Sequence, residues 1–86
     1  MIRVIQMRED EIYMRVRQYL IQEFEIREER IALEADLFDD LGLDSIDALD
    51  WFAKMETEID LPIVEEDLKK IRTVQDVVDY VLRNLR

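Results

Sequence analysis

Gly42 and Pro62 are the only glycine and the only proline in 86 residues, so almost nothing in the chain interrupts a helix. With 49% hydrophobic and 40% charged residues there is enough apolar material to fold and enough charge to keep the product in solution. A mass of 10.4 kDa supports one modest core. The expectation is a single all-α domain.

Cysteine and histidine are both absent. That excludes disulfides, thiolate or imidazole zinc sites, a cysteine nucleophile and a Ser-His-Asp triad, so no enzymatic activity is expected. No apolar run is long enough to span a bilayer, and Met1 to Arg8 lacks the sustained apolar stretch of a secretory signal. A cytoplasmic location is the default expectation. The net charge of -10 is unevenly spread. Residues 1–35 carry six Arg against eight acids, residues 36–67 carry Lys54 against twelve acids, and residues 68–86 carry five bases against two acids. Such a field repels nucleic acid and anionic lipid and attracts basic protein surfaces.

Helical periodicity appears in Ile12, Val16, Tyr19 and Leu20 behind Glu9, Asp10 and Glu11, which suit the positive end of a helix dipole and predict a helix over Glu9 to Glu23. Val74, Val77, Val78, Val81, Leu82 and Leu85 form an apolar stripe opened by Thr73, with Asp76 three residues on as its capping partner. Acids early and lysines late in Val64 to Lys70 predict a short helix of about two turns.

The stretch from Ser45 to Ile59 sorts into faces at about 100° per residue. Ala48, Trp51, Phe52, Met55 and Ile59 fall on one side, facing the core, and Asp47, Asp50, Lys54, Thr57 and Glu58 on the other. Ile46, Leu49 and Ala53 lie between, an apolar strip edged with carboxylates of the kind that invites a partner protein. At its start, Asp44 and Asp47 have the spacing of a capping box.

The run Asp39-Asp40-Leu41-Gly42-Leu43-Asp44-Ser45-Ile46-Asp47 resembles the D-L-G-x-D-S-L-D signature at which acyl carrier proteins receive phosphopantetheine. Met55 to Ile59 resembles the acidic end of that family's second helix, and Ile71-Arg72-Thr73-Val74-Gln75-Asp76 its I-x-T-V-x-D approach to the last helix. The likeness spans residues 8 to 85. It implies a four-helix bundle of three longer helices and one short helix, with a long loop between helices 1 and 2, forming one carrier domain over residues 8–86 behind an extension of residues 1–7. Ile31, Leu33, Leu37, Phe38 and Leu41 would pin that loop to the core.

The resemblance further implies that Ser45 bears a covalent 4'-phosphopantetheine arm derived from coenzyme A, whose thiol holds fatty-acid or polyketide-type acyl groups as thioesters. Asp44 would contact the magnesium-dependent phosphopantetheinyl transferase. Ile46, Asp47, Leu49, Asp50, Ala53 and Glu56 would meet acyl-transferring, ketoacyl synthase-type or acyl-activating enzymes with basic docking surfaces, the carrier itself acting as a monomer. A phosphodiester on a hydroxyl at a helix N-terminus lies beside unsatisfied amides and the positive dipole end, which suits the role assigned to Ser45. Ile46 replaces the usual Leu, Trp51 is bulky for the core stripe, Lys54 puts a cation on the acidic face, and Thr57 stands where an acid is common.

Other readings keep some of these features. An aminoacyl or peptidyl carrier has the same fold and arm with different cargo, and an unmodified helical adaptor uses the acidic surface alone. A calcium loop with Gly42 at its sixth position would put Leu37 first, which rejects an EF-hand, and no metal site is expected. Trp51, Phe52, Met55, Phe38, Ile63, Ile71 and the valine stripe are candidates either for an ordinary core or for the lining of an acyl-sheltering cavity.

Overall fold

The computed structural model describes residues 8–58 and 60–84. Four helices follow in order: α1 (Glu9–Phe24), α2 (Ser45–Glu58), α3 (Glu65–Leu68) and α4 (Val74–Asn84). The architecture is the expected all-α bundle of three longer helices and one short one.

Helix α1 opens with three acids in its first turn, and the Glu11 carboxylate accepts the Arg8 amide at 2.9 Å. It buries Ile12, Val16 and Leu20, while Tyr19 is only half-buried at the edge of the stripe. Glu25 takes the left-handed conformation at φ 55°, and the Ile26 amide turns back to the Leu20 carbonyl at 3.2 Å, ending the helix. Helix α4 packs along α1 and buries Val74, Val77, Val78, Tyr80 and Val81. Its cap is reciprocal as expected: the Asp76 amide donates to the Thr73 hydroxyl at 3.0 Å, and the Thr73 amide donates to the Asp76 carboxylate at 3.1 Å.

Two expectations need correction. Leu82 leaves the apolar stripe and is 37% exposed, its place in the core taken by Tyr80. Tyr80 was invisible as a core residue because its hydroxyl needs a partner. It donates to the Pro62 carbonyl at 2.9 Å and accepts the Val64 amide at 3.3 Å, fastening the segment before α3 onto α4. Helix α3 is also shorter than expected, a single turn over Glu65–Leu68 with no side-chain cap at Val64. One turn repays little of the cost of nucleation, so the helix depends on half-buried Leu68 against the core. The expected core positions Ile59 and Leu85, and the 1–7 extension, lie outside the described residues.

The loop over residues 25–44 is held as the sequence suggests, with Ile31, Leu37 and Leu41 buried and Leu33 and Phe38 half-buried against the core. Backbone pairing adds a second fastening, an antiparallel β-bridge between Asp36 and Thr73. The Leu37 amide reaches the Arg72 carbonyl at 2.7 Å, and the Val74 amide reaches the Ala35 carbonyl at 3.1 Å. These bonds satisfy loop groups that burial would otherwise leave unpaired. They also bring the end of the loop to a fixed place beside the start of α2.

Candidate functional site

The loop ends in a local scaffold that sets the position of Ser45. The Leu43 amide donates to the Leu37 carbonyl at 3.0 Å, and its side chain is buried. Gly42 before it has φ 78°, a left-handed conformation that costs glycine little, and its amide donates to the Phe38 carbonyl at 3.2 Å. No atom lies within 4 Å of where a Gly42 Cβ would stand, so backbone conformation rather than crowding calls for glycine there.

Asp44 is the N-cap of α2. Its carboxylate accepts the Asp47 amide at 2.8 Å, the Asp47 carboxylate accepts the Asp44 amide at 3.4 Å, and the Asp44 carbonyl accepts the Ala48 amide at 3.1 Å. Ser45 is thus the first helical residue and is exposed. The amides of Ser45 and Ile46 come before the first intrahelical acceptor, so they point out of the helix end together with the positive pole of its dipole. A phosphate ester on the Ser45 oxygen fits this place: the residue is exposed and nearby amides can donate to it.

Helix α2 presents two faces. Ala48, Trp51, Phe52 and Met55 are buried. Trp51, 1% exposed, stacks on Tyr19 at a 5.5 Å centroid distance and on Phe52 at 5.4 Å, and meets Phe24 edge-on at 6.3 Å. Its bulk is accommodated because α1 supplies Tyr19 and Phe24 as an aromatic wall. The outward face carries Ile46 at 74% exposure and Leu49 at 51%, flanked by exposed Ala53, Asp50 and Glu56, with Asp47 half-buried in the cap. All the residues read from the sequence as a partner surface therefore lie on α2, but their acids are not equivalent. Asp50 pairs with Lys54 at 3.6 Å, and Lys54 also reaches Glu23 of α1 at 4.0 Å. The Tyr19 phenol first, and then Asp50, holds the Lys54 ammonium above its ordinary pKa, while burial raises that of the Tyr19 hydroxyl. The i,i+4 spacing of Asp50 and Lys54 is legible in the sequence, whereas Glu23 required the packing of α1 on α2.

The groove beside this helix has a volume of about 200 Å³ and runs between α1, the C-terminal half of α2 and Val81. Trp51 and Met55 line it, but Phe38, Ile63 and Ile71 do not, and its rim carries Arg15, Gln18, Gln22 and Glu58.

Residues 15–81 match the family described as a phosphopantetheine attachment site. An acyl carrier protein of Bdellovibrio bacteriovorus is 37% identical over 70 residues, covering 81% of this chain and 90% of that protein. The chain belongs to the acyl carrier protein family. A solved structure of the acyl carrier protein from Enterococcus faecalis superposes with a TM-score of 0.75 at 31% identity, covering 91% of this chain and 99% of the other. Carriers of this family hold acyl groups as thioesters on a covalent 4'-phosphopantetheine, so the protein is a carrier of acyl thioesters. No described helix is long and apolar enough to cross a membrane.

Proposed function

We propose that Ser45 is the attachment residue and that the cargo is of the fatty-acid or polyketide type, carried by the domain of residues 8–86 in the cytoplasm. One observation carries the assignment: an exposed hydroxyl at the first position of α2, directly after the Asp44 cap and beside amides with no intrahelical acceptor. The arm supplies a thiol that the chain itself lacks. The chain contributes the hydroxyl oxygen that bonds to phosphorus, a helix end that stabilises the resulting phosphodiester anion, and a surface that brings enzymes to it. Asp44 has two jobs here, capping the helix and presenting a free carboxylate oxygen to the metal-dependent transferase. Ile46, Leu49 and Ala53 form the apolar centre of the docking surface, with Asp47, Asp50 and Glu56 at its margin. Partner enzymes with basic docking surfaces perform all the chemistry, and the carrier catalyses none of it.

The test is the intact mass of wild type and Ser45→Ala after incubation with coenzyme A, magnesium and a broad-specificity phosphopantetheinyl transferase. A gain of one phosphopantetheinyl group in wild type alone is the expected result. A folded wild type that stays unmodified, with a cognate transferase as well, would overturn the assignment and leave the adaptor reading.

A further inference from the structure

The turn that leads into Ser45 is tied to the approach to α4. The Arg72 amide donates to the Asp76 carboxylate at 2.9 Å, so Arg72 shares in the α4 cap. Its guanidinium grips the Asp36 carboxylate with two nitrogens, at 3.0 and 3.3 Å, and reaches Asp39 at 3.5 Å. Beyond Asp36 each residue of the turn is bonded to another. The Asp36 carboxylate accepts the Phe38 and Asp39 amides, its carbonyl accepts the Asp40 and Leu41 amides at 3.0 Å each, and its amide donates to the Asp40 carboxylate at 2.8 Å. Gly42 and Leu43 bond back to Phe38 and Leu37, and Asp44 caps α2. Contacts thus run unbroken from the α4 cap to the residue before Ser45. Arg30 reaches the Asp40 carbonyl at 2.8 Å from within the loop, but among the described side chains only Arg72 hydrogen-bonds residues 36–44 from outside the loop and α2. Its side chain is 55% exposed, which makes it a weak staple for stability, whereas a two-nitrogen grip fixes orientation as well as distance.

We propose that Arg72 is a positioning residue for the loading of Ser45: acting through Asp36, it sets the turn over residues 36–43 and so the angle at which the Ser45 hydroxyl is presented. In loading, the Ser45 oxygen bonds to the phosphorus that bears the pantetheine arm of coenzyme A. The bond from that phosphorus to the bridging oxygen of the pyrophosphate breaks, adenosine 3',5'-bisphosphate leaves, and the hydroxyl proton passes to a base of the transferase. Such a displacement needs the attacking and leaving oxygens in line, so it is sensitive to small errors of angle. The proposal rests on Ser45 being the attachment residue, as set out above. A role through charge alone has the opposite sign, because removing a cation from an acidic carrier strengthens its attraction to a basic transferase.

The test is single-turnover loading with coenzyme A, magnesium and a broad-specificity phosphopantetheinyl transferase, followed by intact mass well below the melting temperature of each variant. The rate at saturating transferase reports transfer after docking, and the transferase concentration that gives half that rate reports docking. Arg72→Gln is expected to lower the saturating rate about tenfold with the half-saturation point unchanged or lower. Arg72→Lys keeps the charge but not the two-nitrogen grip, and should recover only part of the rate. Lys70→Gln removes a nearby exposed cation and should leave the saturating rate at the wild-type value. In an Asp36→Asn background, which is itself slow, Arg72→Gln should cost little more. A wild-type saturating rate for Arg72→Gln, full recovery in Arg72→Lys, an equal loss in Lys70→Gln, or losses from Arg72→Gln and Asp36→Asn that simply multiply would each overturn this role of Arg72 while leaving Ser45 as the attachment residue. A loss confined to half-saturation would make Arg72 a transferase contact and overturn it too. Failure of wild type to load would overturn the attachment reading, and this one with it.

Discussion

Asp36 gathers the loop around a single carboxylate. It accepts the amides of Phe38 at 2.9 Å and Asp39 at 2.8 Å and the guanidinium of Arg72 at 3.0 and 3.3 Å, while Arg72 also lies over the Phe38 ring at 5.3 Å. The Asp39 amide first holds the carboxyl below its ordinary pKa; burial, the next-largest effect, opposes it, and Arg72 and the Phe38 amide together tip the balance further down. A carboxyl whose pKa is depressed in the folded state adds stability above its unfolded value of about 3.9, and loses that contribution as pH falls through the folded value. Asp36→Asn keeps an oxygen for the amides but discards the ion pair. The stability difference between wild type and Asp36→Asn, from urea midpoints, should therefore be constant from about pH 7 to 5 and shrink below about pH 4. A difference independent of pH would mean that the charge on Asp36 contributes nothing. Arg72→Ala should speed hydrogen exchange at the Leu37 and Val74 amides, which share the β-bridge, and unchanged exchange would show that the backbone pairing stands without the guanidinium.

At the level of elements, the caps decide where α2 and α4 begin. Asp44→Ala removes the acceptor of the Asp47 amide and should cost about 1 kcal/mol in thermal or urea unfolding, whereas Asp44→Asn keeps an acceptor and should cost only a few tenths. If both variants load phosphopantetheine at wild-type rate, Asp44 serves the helix alone; slow loading by the well-folded Asn variant marks the charge as a transferase contact. Tyr80→Phe leaves the Pro62 carbonyl and Val64 amide without their partner and should cost about 1–2 kcal/mol, loosening the start of α3 before the rest of the bundle. A loss under about 0.3 kcal/mol would mean that water replaces the phenol. Both capping pairs were legible in the sequence because a cap is a local pattern of side chain and spacing. The Tyr80 clasp was not, because it joins residues 16 and 18 apart in a segment with no periodicity. Trp51 was legible as core, but its stacking on Tyr19 depends on how α1 crosses α2, which helical spacing within either helix leaves open.

Across the whole molecule, folding brings together what the sequence keeps apart. Residues 36–67 carry twelve acids and residues 68–86 carry five bases, and the β-bridge sets Arg72 of the basic third against Asp36, with Asp39 at 3.5 Å. The signature around Ser45 and the helical faces were readable because they are local. The Asp36–Arg72 fastening and the Lys54–Glu23 contact depend on tertiary approach, so the acidic surface inferred from composition is more neutral along one edge than composition implies. Even so, repulsion should dominate the salt response. The ion pairs are largely exposed and each contributes about 0–1 kcal/mol, whereas the described residues, with 22 acids against ten bases (all but Arg3 and Arg86), hold a net charge of -12 within 38 × 27 × 20 Å. At about 0.01 M salt the Debye length is about 30 Å, longer than two of those dimensions, so nearly all the acids repel one another; at about 0.15 M it is about 8 Å, and only neighbours do. Raising sodium chloride between those limits should therefore raise Tm in calorimetry. Arg72→Gln, which deepens the charge imbalance and breaks the fastening, should start lower and gain more from salt than wild type. A Tm that falls with salt would mean that the few ion pairs outweigh the acidic excess, and that the docking strip proposed on α2 would draw basic partners with much less long-range attraction than its carboxylates suggest.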